Sequence, residues 1–149
     1  CTYLRGLKMH SRLRTPAPAL HEHLTMWSSG SLSADWQRAE PHVIAALAHA
    51  GDTHEPRDVL DMIIGGRAAL WVGSECAVVT QEIDLPRGVQ LHFWLAGGDL
   101  DELMEIERDI EKAAHENGIV RVSIIGRRGW RAKLDGFKEA GVILVKEIK

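Results

Sequence analysis

Hydrophobic and polar positions along this chain change period several times, and the changes divide it into elements. Between Glu40 and Gly51 the apolar residues fall at helical spacing. Asp35 stands before them as a cap, Pro41 suits a first turn and Gly51 a stop, which predicts a short buried helix. A second helix is predicted over 56–64, where Val59, Leu60, Ile63 and Ile64 form one side and Gly65-Gly66 ends it. The period then becomes alternating. Residues 68–72, 76–85 and 89–95 read as three strands joined at Gly73-Ser74 and across Pro86 to Gly88, an antiparallel meander. Helical spacing returns over 99–117, with Asp99 as cap, Glu102 completing a capping box, and Leu100, Leu103, Ile106 and Ile110 on the apolar stripe. Residues 119–125 read as a strand, 129–136 as a short helix and 142–148 as a last strand. The predicted order is α-α-β-β-β-α-β-α-β, an α/β fold with a mixed, mainly antiparallel sheet and flanking helices.

Residues 1–34 break this regularity. They contain Thr15-Pro-Ala-Pro and Ser28-Ser-Gly-Ser, and they carry Arg5, Lys8, Arg12 and Arg14 with no acid before Glu22. They read as a basic arm, either a tail or a segment that orders against a neighbouring subunit or a nucleic acid. The remainder, 35–149, reads as a single domain, since 149 residues that are 45% hydrophobic and 26% charged suit one ordinary core. No stretch approaches the roughly 18 to 20 apolar residues of a membrane helix, so a soluble protein is expected. The first residue is Cys, and Met9 or Met26 is the expected native start. A net charge of -3 hides a segregation: residues 99–117 hold eight acids against two bases, and 119–149 hold three against eight.

Between the third strand and the helix from Leu100, the pair Gly97-Gly98 has the outline of a ligand loop. Glycines let the backbone approach a phosphate, and a helix N-terminus holds it through free N–H groups and its dipole. Asp99, Asp101 and Glu102 occupy that same electropositive spot. Acids there stabilise the helix by roughly 0.3 to 1 kcal/mol each and repel a pyrophosphate, so the cap competes with a ligand. Pairing across Pro86 to Gly88 places Glu82 and His92 on one sheet face, as a carboxylate–imidazole base for an attacking amine or as a plain cross-strand polar pair. Arg127, Arg128 and Arg131 cluster with Lys133 beside Trp130. That group suits a phosphate, a carboxylate, an acidic helix of another subunit or internal pairing with the acidic helix. His21 and His23 lack a third ligand, so no metal is expected. Cys1 and Cys76 match no metal or redox spacing, and Cys76 reads as a small buried strand residue. Trp71 reads as core, while Trp27 and Trp36 flank the arm and suit anchoring it in a partner.

The order of elements, with glycines after the third strand and an amphipathic helix behind them, resembles the GNAT superfamily of N-acetyltransferases over roughly residues 36–149. Leu70-Trp71, Val79-Thr80-Gln81-Glu82, Gly97-Gly98, Gly126-Arg127-Arg128-Gly129-Trp130 and Val145-Lys146-Glu147 are similar to small GNAT-like proteins of tailed bacteriophages, often encoded among virion genes. The resemblance implies acetyl-CoA in a splay between the third and fourth strands, with its pyrophosphate on backbone N–H groups at Ala96, Gly97 and Gly98. It also implies a leaving-group acid, commonly a tyrosine on the short helix after the next strand. That helix offers Trp130, Arg131 and Lys133 here, and Trp130 cannot protonate a thiolate. The only tyrosine is Tyr3, in the arm. The expectation is a non-catalytic GNAT-like phage virion or accessory protein without a cofactor, in the virion or the host cytoplasm. It would act through protein contacts with other virion proteins or copies of itself, at Arg127, Arg128, Trp130, Arg131, Trp27 and Trp36. The alternative is an acyl-CoA-dependent N-acetyltransferase that binds acetyl-CoA and uses Glu82 and His92 on an amine substrate. A nucleic-acid role rests on the basic arm and the arginine cluster, and the negative net charge weighs against it.

Overall fold

The computed structural model describes residues 3–5, 31–126 and 128–148. In chain order the elements are β1 (Tyr3–Arg5), α1 (Ser31–His49), α2 (Pro56–Ile64), β2 (Ala69–Val72), β3 (Cys76–Leu85), β4 (Gly88–Gly98), α3 (Leu100–Glu116) and β5 (Arg121–Ile124). A single 3-10 turn follows at Arg128–Trp130. One five-stranded sheet runs β1-β2-β3-β4-β5. Its pairs are antiparallel except β4 with β5, which is parallel. Part of the predicted arm therefore joins the sheet, because the backbone of Tyr3–Arg5 pairs with residues 70–72. Trp27, His21 and His23 lie outside the described residues.

The first helix begins ten residues before the predicted Pro41 start. Leu32, Trp36 and Ala39 extend the stripe formed by Val43, Ala46 and Leu47, and burying that longer stripe outweighs a proline in mid-helix. Pro41 and Gln37, the residue whose carbonyl loses its helical donor there, both sit on the exposed side, where water replaces the missing bond. Asp35 is not a cap. It lies on the buried face and takes the Arg38 guanidinium at 2.9 Å. Trp36, expected at a partner surface, is 7% exposed and packs in the core of this same chain. The second helix matches its predicted bounds, with Pro at its start, Val59 and Ile63 buried, and Ile64 exposed.

The sheet is the middle layer of three. Against one face α1 and α2 bury Trp36, Val43, Val59, Ile63, Leu70 and Val79. Against the other, α3 buries Trp71, Leu91, Phe93, Ile106 and Ile110. Full burial of each such side chain contributes about 1.5 to 3 kcal/mol. Two-sided burial explains why β2 is apolar at every position and why β3 begins with five buried residues.

β4 changes faces midway. Leu91 and Phe93 point to α3, while Leu95 points to α1 and α2. The pairing accounts for the switch: Thr80 opposes Phe93, Val79 opposes Leu95, and Trp94 is an extra residue at a bulge. Simple alternation puts Leu91, Phe93 and Leu95 on one side, and the bulge overturns that expectation.

The last two predicted elements also differ. Residues 129–136 hold only the 3-10 turn and successive tight turns. Residues 142–148, expected as a strand, have no secondary structure, and Val142, Ile143, Leu144, Val145 and Ile148 are 60% to 89% exposed.

Candidate functional site

The glycine junction lies where β4 runs into α3, with the β2–β3 turn folded over it. Asp99 is the N-cap of α3, and its carboxylate accepts the Glu102 N–H at 3.0 Å. The predicted capping box is only half formed. The Asp99 N–H donates to the Glu75 carbonyl at 2.9 Å, so it is not available to Glu102. The Glu102 carboxylate instead accepts the Glu75 N–H at 3.0 Å. These bonds tie the helix N-terminus to the β2–β3 turn.

The glycines serve the same packing. A Cβ on Gly97 would lie 2.6 Å from the His42 carbonyl oxygen of α1. Gly98 has φ +112 and presses against the Glu75 carbonyl and Cys76, where no other residue fits without strain. Both glycines thus abut the protein's own backbone. Of the three predicted cofactor positions only Ala96 lines a pocket, on the side toward α3. Cys76 beneath the junction is an inert thiol: burial, and then the charge of Glu102, push it up to about 12.

Below Ala96, the strands β4 and β5 part company. They pair from Gln90 with Arg121 to Phe93 with Ile124, and β4 continues for five residues beside β3 but without β5. A small apolar pocket of about 20 Å³ opens there, lined by Val78, Phe93, Ala96, Ile124, Trp130 and Leu134, with Glu107 among its walls. Such a volume holds about one water molecule. Trp130 closes it, with its ring over Gly126.

Glu107 was not among the residues singled out from the sequence. It is 7% exposed on the inner side of α3, and its Oε1 has no hydrogen-bond partner among the described residues. Burial pushes its carboxyl up to about 7, the negative Glu111 one turn on adds to this, Arg108 opposes it and Asp135 adds a little. Its position in the helical period, four residues after Leu103 and three before Ile110, was the signal for an inward carboxylate.

The expected Glu82–His92 pair is not assembled. The hairpin turn is the two residues Pro86-Arg87, because Gly88, at φ +142, pairs with Leu85. Glu82 then opposes Leu91 and His92 opposes Gln81. Directly opposed residues share a face and neighbours alternate, so Glu82 points to the α3 side and His92 to the other. His92 instead joins a polar row with β5: Gln90 Nε2 donates to Ser123 Oγ at 2.7 Å, and His92 Nδ1 lies 2.9 Å from the same hydroxyl. Burial lowers the imidazole below its ordinary value, partly offset by the Ser123 backbone.

Of the predicted Arg127–Arg131 cluster, the described side chains are Trp130 and Arg131. Arg131 pairs with Glu139 at 2.8 Å rather than with the acidic helix, and Trp130 packs against the α3 side of the core. Arg127 lies outside the described residues, and only the backbone of Arg128 is described, in the 3-10 turn. Among the described residues no three His, Cys, Asp or Glu side chains gather as a metal site, and no helix is long and apolar enough to cross a membrane.

No known protein family matches the chain, and no curated protein matches it. Two solved structures of TTHA1254 from Thermus thermophilus resemble it. The structure of a point mutant aligns with TM-score 0.54 at 15% identity, over 78% of this chain and 92% of that one. The wild type aligns with TM-score 0.52 at 14% identity, over 77% and 91%. The likeness extends to the fold: a mixed α/β domain with a mostly antiparallel sheet and flanking helices.

Proposed function

We propose that this is a GNAT-like protein that does not catalyse acetyl transfer and acts through protein–protein contacts, as a phage virion or accessory component. The observation that carries the first part is the filled glycine junction. Glu75, Asp99 and Glu102 satisfy one another at the N-terminus of α3, and Gly97 and Gly98 abut backbone where a pyrophosphate would have to lie. The sequence resemblance supports the phage setting.

Calorimetry with acetyl-CoA tests it, on the wild type and on Asp99→Asn with Glu102→Gln. Neither heat nor a rise in melting temperature is expected for the wild type, whereas a ligand at 100 times its dissociation constant adds about 2.7 kcal/mol. Saturable binding to the wild type would overturn the reading, and binding by the double variant alone would mark a site closed by its own cap.

A second reading, an N-acetyltransferase, draws on Glu107. A carboxyl raised to about 7 beside the gap between β4 and β5 is suited to give a proton to a departing thiolate. In that case coenzyme A thiol release from acetyl-CoA with an amine acceptor would be measurable and lost in Glu107→Gln.

A further inference from the structure

We infer that residues 142–148 are an exchanged strand: in a two-fold dimer each copy lays this segment along the outer edge of its partner's β5. The inference goes beyond the reading above and stands without it, since a protein that binds acetyl-CoA could form the same dimer.

Two unmet surfaces of one chain point to it. The first is the edge. β5 is the last strand of the sheet, so its outer N–H and C=O groups pair with no strand among the described residues. Such an edge is a template for another strand. Val120 and Ile125, immediately before and after β5, are 62% and 60% exposed, which leaves apolar surface at both ends of the edge.

The second is the segment. Gly141-Val-Ile-Leu-Val-Lys-Glu-Ile148 is rich in β-branched residues, and its apolar side chains fall on both alternating faces, the pattern of a strand covered from two sides. In the single chain it is covered from neither, with all five large apolar residues at least 60% exposed. Covering these side chains removes apolar surface from water, which favours association.

Dimensions agree. A seven-residue strand spans roughly 23 Å at 3.3 Å per residue, longer than the four residues of β5 and enough to cover Val120 and Ile125 as well. A strand added there extends the sheet by one strand beyond β5. The base of the segment is fixed, since the turn at Trp130 holds the Lys133 and Leu134 N–H groups at 2.9 Å and Arg131 holds Glu139. Gly136 at φ +77 redirects the chain between them. Reciprocal exchange satisfies both edges and both segments and leaves nothing over, which selects a closed dimer rather than an open filament.

Sedimentation equilibrium tests it on the full chain, together with amide hydrogen exchange. The expected result is a species of twice the 16.5 kDa chain mass, with residues 142–148 and the β5 amides slow to exchange. Leu144→Asp, checked for native circular dichroism, is expected to be monomeric with both regions fast. Any of four results overturns the inference: a monomeric wild type with a fast-exchanging segment, a monomer with a protected segment, which would mean that the segment returns to its own β5, a dimer that survives Leu144→Asp, or an open-ended series of larger species.

Discussion

Glu107, buried on the inner side of α3, couples the stability of the chain to pH. Its carboxyl rises from 4.5 to about 7 on folding, so between those values the folded state holds a proton that the unfolded state has released. Stability therefore falls as pH rises through that window and is level above it, by about 3 kcal/mol in total. His92 works in the opposite sense. Its lowered value means that the unfolded chain takes up the proton first on acidification, so its contribution is lost below about pH 6.5. Urea unfolding of wild type and Glu107→Gln from pH 4.5 to 8 separates the two. The variant is expected to gain stability relative to wild type as pH rises to about 7, and a difference independent of pH would count against a buried, protonated Glu107.

Among the elements, β4 shows what packing adds to pattern. Gly97 has the look of a ligand glycine, yet its missing Cβ is the space filled by the His42 carbonyl. Gly97→Ala is expected to cost about 1 to 3 kcal/mol, as overpacking does, measured by urea unfolding. A neutral substitution would mean that α1 does not press on the strand. The second helix, the extent of β3 and the amphipathic α3 were legible in the sequence, because each has an uninterrupted period and a defined stop. The start of α1 was not, since Pro41 imitates a first turn and only the later packing of Leu32 and Trp36 reveals the longer stripe. The Glu82–His92 pair failed on one residue of turn length, which reverses every face below it. The self-capping of the glycine junction was legible in Asp99 and Glu102. The Glu75 half was not, because it comes from a turn some 25 residues away.

The whole molecule divides its core between two faces of one sheet, and every described member of both buried clusters lies at or after Leu32. β1 contributes backbone pairing to β2 at the rim. A chain of residues 31–149 is accordingly expected to melt cooperatively at a lower temperature than the full chain, followed by circular dichroism, and loss of a cooperative transition would show that the core extends into the first 30 residues. The bulge at Trp94 has a consequence at this scale. The same sequence can be threaded without it, by placing the slack residue in a three-residue turn at Pro86 to Gly88; that threading sets Glu82 directly across from His92. It also turns Leu91 and Phe93 away from α3. The two threadings need the same chain length and differ in what they bury, so hydrophobic side chains, and not the number of residues, decide where the slack sits. If Leu91 and Phe93 were made polar, nothing would hold it at Trp94. The hairpin would then be free to slide by one position, bringing a carboxylate and an imidazole together that the native packing keeps on opposite sides of the sheet.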